Sequence, residues 1–197
     1  MNFTPIYIAF LVISTIYRFR RVSRTHLDRR ESGKIFVKPI YKIMFLLYFM
    51  VMISAIMEYF LLDRSINLVI SGVGFLMYVS VIPVREWAIR SLGKFMSEHI
   101  EIKKGHKLVK EGPYKYLRHP LLLCLLIEVV GITLIPNAYY SLAGTLIVCF
   151  PLTFIRMYLE ERVLIEKLGQ EYLDYKKEVY ALLPLKKNIL RRNINED

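Results

Sequence analysis

The chain has 197 residues, 55% of them hydrophobic, and a formal net charge of +11 from 28 Lys and Arg against 17 Asp and Glu. Its length suits one domain. The excess of positive charge falls into three blocks separated by long apolar runs, which excludes nucleic acid as a partner and points to a membrane. The two cysteines, Cys124 and Cys149, both fall inside apolar runs and form neither a disulfide framework nor a metal spacing.

From the N-terminus, Phe3–Tyr17 is uncharged but short, about 22 Å as a helix. Basic residues follow it (Arg18, Arg20, Arg21 and Arg24), whereas a signal peptide carries them in front. It therefore reads as a first membrane span with its N-terminus outside. Crossing a bilayer takes about 20 apolar residues. Ile43–Leu62 has one charge, Glu58, and Ile66–Val84 has none; Asp63–Asn67 is the outer turn between them. Gly72 and Gly74 in the third span permit close helix approach. Arg85–Phe95 is a short amphipathic stretch, and a polar loop follows from Met96 to His119. Pro120–Pro136, charged only at Glu128, and Ala138–Ile155, uncharged, form a hairpin turned at Pro136-Asn137. The last span runs on without Pro or Gly from Leu152 to Leu168, and Gly169 suits a helix C-terminus. Glu171–Leu183 is another amphipathic helix, stopped by Pro184.

Arg18–Lys42, Arg85–Arg118 and Arg156–Arg192 hold nine basic residues each. Five spans with the N-terminus outside place 27 of the 28 basic residues in the cytoplasm, where anionic lipids attract them. The expected fold is all-α: a polytopic integral membrane protein with five transmembrane helices, a cytoplasmic loop and amphipathic C-terminal helices. Residues 1–84 form a three-span region and 85–197 the region that carries chemistry, together one domain. The expected location is the cell membrane, multi-pass, with the C-terminus cytoplasmic.

Residues 105–120 concentrate the polar groups. Two of the four histidines, His106 and His119, lie there with a Gly-Pro turn, flush against an apolar span. A loop so polar at that depth is costly unless it holds a ligand, here a charged small molecule. Arg156, Glu160 and Glu161 lie where the last span leaves the membrane. If the final two spans are antiparallel, these residues meet His119 at the cytoplasmic mouth. Ionisable groups at such depth usually serve function. Arg156 and Glu160 are four apart and share a helix face. His99, His106 and His119 are spaced by seven and thirteen, which matches no metal site. Glu58 and Glu128 are each open to two readings, a protonated carboxyl hydrogen-bonded between helices or part of a lipid-facing tunnel. No dinucleotide fingerprint, phosphate-binding glycine loop or nucleophile elbow occurs.

The pattern Gly105-His106-x-Leu108-Val109-x-x-Gly112-Pro113-Tyr114-x-Tyr116-x-Arg118-His119-Pro120, then Arg156-x-x-x-Glu160-Glu161, then Gly169-x-Glu171-Tyr172-x-x-Tyr175, resembles the isoprenylcysteine carboxyl methyltransferase family, most closely its short prokaryotic members. The likeness covers roughly residues 85–184. It implies an integral membrane enzyme that uses S-adenosylmethionine to methylate the carboxylate of a prenylcysteine-like group carried on a lipid and entering from the bilayer. It also implies the site. His106, Lys107, Leu108, Val109, Tyr114, His119, Pro120, Leu121 and Leu122 hold the cofactor, with His99 at a looser match, and Arg156 and Glu160 are the catalytic pair. No metal is implied. The chain departs from the family after His119-Pro120, with Leu122 and Cys124 where Tyr and Gly are frequent.

The chemistry suits these residues. A sulfonium methyl group needs only an aligned nucleophile about 3 Å away. A carboxylate acceptor is already ionised at neutral pH, and Arg156 can aim it. An amine acceptor, as in phospholipid N-methylation by the same fold, must lose a proton, which Glu160 could take. An NADPH-dependent membrane reductase is a third reading, but such enzymes are longer. A lipid-binding protein without catalysis is a fourth.

Overall fold

The structure, a computed structural model, describes residues 3–27, 34–62, 65–93, 100–102 and 108–182, with the backbone alone at 19, 21–27, 34–39, 41 and 100–102. Six helices carry the fold: α1 (Phe3–Leu27), α2 (Lys38–Leu61), α3 (Leu68–Leu92), α4 (Pro120–Leu134), α5 (Tyr139–Leu168) and α6 (Gln170–Glu178). Two short strands, β1 (Lys34–Val37) and β2 (Ile100–Ile102), pair antiparallel with Lys34 opposite Ile102. The all-helical expectation is thus amended by a two-stranded ribbon, which ties the first basic loop to the loop after α3.

Lys42–Leu61, Leu68–Leu92 and Tyr139–Leu168 are each long and apolar enough to cross a membrane. Leu46, Leu68, Val69, Leu76 and Ile147 are exposed on these helices, as lipid-facing positions are. The protein is a membrane protein. The apolar part of α1, Phe3–Arg18, and all of α4 are shorter, and α4 is about 22 Å long.

α4 is the hub. Leu122, Cys124, Leu126, Val129 and Ile132 are buried, and α3 packs along one side while α2 and α5 cover the other. A helix apolar all round belongs in such a place. The crossing with α3 is close. A Cβ at Gly74 would lie 2.8 Å from Ile135 N, and one at Gly131 would lie 2.8 Å from Gly74 O. Gly72, expected to share this role, faces open space. α3 itself continues through Pro83 to Leu92, so the amphipathic stretch at Arg85 is an extension of the third span. Neighbouring helices make an internal proline tolerable in a membrane.

Glu58 and Glu128 receive definite roles. Glu58, near the end of α2, accepts from Tyr140 N at 3.1 Å, Ser141 N at 2.7 Å and Ser141 Oγ at 2.9 Å, and so caps the start of α5. Beside it, Asn137 (φ 58°) donates through Nδ2 to Ser71 Oγ at 2.8 Å and accepts from Asn67 N at 3.0 Å, which locks the hairpin turn to α3. Glu128 is 1% exposed and is ion-paired with Arg85 and, at 3.0 Å, with Arg18. Tyr48 Oη donates to the same carboxylate at 3.2 Å, and the Arg18 guanidinium lies 3.4 Å from the Tyr48 ring centre. Four helices therefore meet at one carboxylate, which is ion-paired with two arginines between the helices and so is not the protonated carboxyl of the first reading.

Candidate functional site

The site lies where α4 begins and α5 leaves the bundle. Its loop comes in on a 3₁₀ turn, Gly112–Lys115. Gly112 has φ +58°, and a Cβ there would lie 2.0 Å from Ser91 Oγ, so only glycine lets the turn rest on the end of α3. Pro113 and Tyr114 are buried beneath it. Leu117, Arg118 and His119 then run beside residues 179–181. Arg118 N donates to Tyr180 O and His119 N to Ala181 O, both at 3.0 Å. That pairing ends α6 at Glu178, five residues short of the helix expected to reach Leu183, because the backbone beyond must extend to meet the loop.

α6 grips the loop with side chains as well. Tyr175 Oη donates to Tyr114 O at 2.6 Å. Arg118 Nη1 donates to Lys176 O at 2.9 Å and Val179 O at 2.8 Å, closing the C-terminus of α6. Leu108 packs on the buried cluster of Tyr172, Tyr175 and Val179.

Glu161 is the electrostatic centre. Arg118 Nη2 lies 2.7 Å from Oε1, Lys176 Nζ lies 2.6 Å from Oε2, and His119 Nε2 donates to Oε1 at 3.2 Å. Because a carboxylate only accepts, this bond fixes the proton on Nε2 and turns Nδ1 toward Glu160, whose Oε2 is 3.9 Å away. Two buried polar atoms at this corner have no hydrogen-bond partner among the described residues, Tyr172 Oη and Arg118 Nε. Burial pushes the Tyr172 phenol above its usual range, with the charge of Glu161 adding to the effect. Burial does the same to Tyr114, next to Glu160, and to Tyr175.

Arg156, one turn before Glu160, has different surroundings. Its Nη1 donates to Met44 Sδ of α2 at 3.5 Å. Met44 also lines an apolar recess between α2, α4 and α5, walled by Leu47, Tyr48, Leu125, Val129 and Leu152. Its free volume is about 10 Å³, enough for about one water.

Of the residues expected at the site, Leu108, Val109, Tyr114, His119, Pro120, Leu121 and Leu122 lie in or beside the loop and the first turn of α4, with Glu160 facing His119. His99, His106 and Lys107 fall outside the described residues. Glu160 shares a helix face with Arg156, but its described partner is His119. Lys176 was not singled out from sequence, and Tyr172 was named there only within the Gly169-x-Glu171-Tyr172-x-x-Tyr175 pattern, with no role given to it. The three-residue spacing of Tyr172 and Tyr175 on an otherwise polar helix was the available signal.

The chain is thus a polytopic helical membrane protein whose charged corner sits at the end of its central helix, closed by a loop and a C-terminal helix. The profile of the isoprenylcysteine carboxyl methyltransferase (ICMT) family matches residues 72–166, from α3 to the exit of α5. The chain is 27% identical over 160 residues to the uncharacterized protein YpbQ of Bacillus subtilis, covering 81% of this chain and 95% of that protein. It is 32% identical over 102 residues to the protein-S-isoprenylcysteine O-methyltransferase of Saccharomyces cerevisiae, covering 51% of this chain and 43% of the yeast enzyme. The structure of the eukaryotic intramembrane Ras methyltransferase ICMT superposes with a TM-score of 0.59 at 24% identity, over 78% of this chain and 55% of that one. The chain therefore spans about half the length of the two eukaryotic methyltransferases.

Proposed function

We propose that the protein is an integral membrane methyltransferase that uses S-adenosylmethionine to methylate the carboxylate of a lipid-borne, prenylcysteine-like acceptor at the cytoplasmic face. One observation carries this reading: α5 presents two different surroundings one turn apart. Glu160 faces His119 and the polar loop, while Arg156 reaches Met44 beside an apolar recess. A polar donor on one side and a lipid-borne acceptor on the other need that division.

The residues present fit the methyl donor. Arg118 and Lys176 stand against Glu161, and Glu160 faces His119, a mixture of cations and anions suited to a ligand that carries both signs. Bound there, S-adenosylmethionine supplies a methyl group on a sulfonium, which needs no activation. Tyr114, His119, Pro120, Leu121 and Leu122 form the wall against it, with Leu108 and Val109 behind; His99, His106 and Lys107 are proposed as further ligands of the donor. Arg156 holds the acceptor carboxylate and aims it. No general base is needed. The recess is too narrow for an isoprenoid chain as it stands, so the acceptor parts α2 from α5 as it enters from the bilayer. The membrane arrangement that goes with this is five spans, N-terminus outside and catalytic face in the cytoplasm, where the basic loops also meet anionic lipids.

The test has two stages. Calorimetry of the detergent-purified protein should show S-adenosylhomocysteine binding and none of NADPH; the reverse would make it a reductase. Transfer of radiolabelled methyl should then go to a prenylcysteine and leave phosphatidylethanolamine unlabelled. Label on the phospholipid would establish the amine reading, with Glu160 as base.

A further inference from the structure

Arg118 is held at both ends of its guanidinium. Nη1 is spent on the carbonyls of Lys176 and Val179, and Nη2 on Glu161. That leaves Nε, which is buried and has no partner among the described residues. The phenol of Tyr172 is in the same position, in a residue 1% exposed. The charged groups acting on that phenol are Glu161, Arg118 and Glu160. Buried donors without partners are rare and call for an explanation. Here there are two: Arg118 Nε, which can only donate, and Tyr172 Oη, whose hydroxyl can donate as well as accept. Glu161 is already saturated by Arg118, His119 and Lys176. What would satisfy them is an acceptor with two lone-pair faces, a carboxylate. Beside them Glu160, in contact with His119 alone among the described residues at 3.9 Å, offers an acceptor for an ammonium group.

We propose that Tyr172 Oη and Arg118 Nε receive the α-carboxylate of an amino-acid headgroup whose ammonium lies toward Glu160, which makes Tyr172 a further ligand-binding residue of the site. This rests on the methyl-donor reading and deepens it, since S-adenosylmethionine carries such a headgroup. α6 is then part of the pocket as well as its support. Tyr172 comes six residues after the family profile ends at residue 166.

The experiment is calorimetry on the full-length protein in detergent, wild type and Tyr172→Phe, with two probes: S-adenosylhomocysteine and its analogue lacking the α-carboxylate. Phenylalanine keeps the ring and its packing. Tyr172→Phe should bind S-adenosylhomocysteine roughly tenfold more weakly, as expected for losing a hydrogen bond to a charged group. The decarboxylated analogue should bind wild type and variant equally. Equal loss for both probes places the hydroxyl elsewhere on the ligand and overturns the proposal. No loss for either means that a water between Tyr172 and Arg118 satisfies the pair, which also overturns it. If the wild type fails to bind S-adenosylhomocysteine, the methyl-donor reading falls and this one with it; wild-type binding with an unchanged variant sinks this one alone.

Discussion

Arg156 and Glu160 are four residues apart, and their described contacts assign them to different tasks. Arg156 stands at the apolar recess and Glu160 at the His119 corner. In the proposed reaction Arg156 is the counter-ion of the acceptor carboxylate. Arg156→Ala should therefore lower kcat by about 2–5 kcal/mol in barrier, the usual penalty for a desolvated charge left unpaired, and leave S-adenosylhomocysteine affinity nearly unchanged. Glu160→Gln should do the opposite and weaken S-adenosylhomocysteine binding. The rate should be flat between pH 6 and 8, because a carboxylate with an ordinary pKa near 4 is fully ionised throughout. Single-turnover rates and calorimetry across that range check all three. A rate that climbs with pH, together with a benign Arg156→Ala, identifies an amine acceptor. At this scale the sequence was informative where a pattern was local: it set His119-Pro120 and the Arg156–Glu161 run at two span ends, and the structure brings Glu160 and Glu161 against His119 while Arg156 reaches Met44. It was silent where a partner is far away in the chain. Glu128 meets Arg18 and Tyr48 across 110 and 80 residues, and Glu58 meets Ser141 across 83. No periodicity reports such pairs, so both carboxyls stayed open to two readings.

Among the elements, α4 depends most on its neighbours. It is short, and the crossing with α3 brings backbone against backbone at Gly74 and Gly131. A methyl group there meets main-chain atoms, which cannot rotate away. Gly74→Ala should therefore lower stability by about 1–3 kcal/mol, the typical cost of overpacking a tight contact. Gly72→Ala, on the same helix but facing open space, should be neutral or slightly stabilising, since alanine favours the helix. Thermal unfolding of both variants in one detergent decides it; equal loss in both would mean the crossing is looser than 2.8 Å contacts imply. From sequence the two glycines were equivalent. Only the phase of α3 against α4 separates them, and that phase is a tertiary fact. The end of α6 has a similar history. Its pattern is helical up to Leu183, yet residues 179–181 are needed as an extended partner for Leu117–His119. The ribbon of β1 and β2 was equally hidden, because four residues pairing with three carry too little pattern to register.

For the whole molecule the open quantity is how many helices cross. Three are long enough on their own; the apolar part of α1 and all of α4 are shorter than a bilayer core. α4 is sheltered by α2, α3 and α5, so it need not meet lipid along its length. α1 ends its apolar run at Arg18, which reaches the Glu128 carboxylate at 3.0 Å, so local thinning or snorkelling there would let the short run serve. The even division of 27 basic residues among three blocks favours both helices crossing. Single cysteines at four positions would settle the matter, with buried Cys124 and Cys149 replaced by alanine. A membrane-impermeant maleimide applied to intact cells should label Asn2→Cys and Tyr140→Cys. It should reach Lys115→Cys and Lys177→Cys only after permeabilisation. Lys115 against Tyr140 reports on α4, Tyr140 against Lys177 on α5, and Asn2 on α1. If Asn2→Cys labels with the cytoplasmic pair, α1 lies along the membrane surface and the count falls to four. The catalytic face would keep its side, because α2 to α5 alone return the chain to the cytoplasm. If Lys115→Cys labels from outside with Tyr140→Cys, α4 does not cross, the polar loop faces the wrong compartment for a cytoplasmic methyl donor, and the proposed function fails at the level of the whole protein.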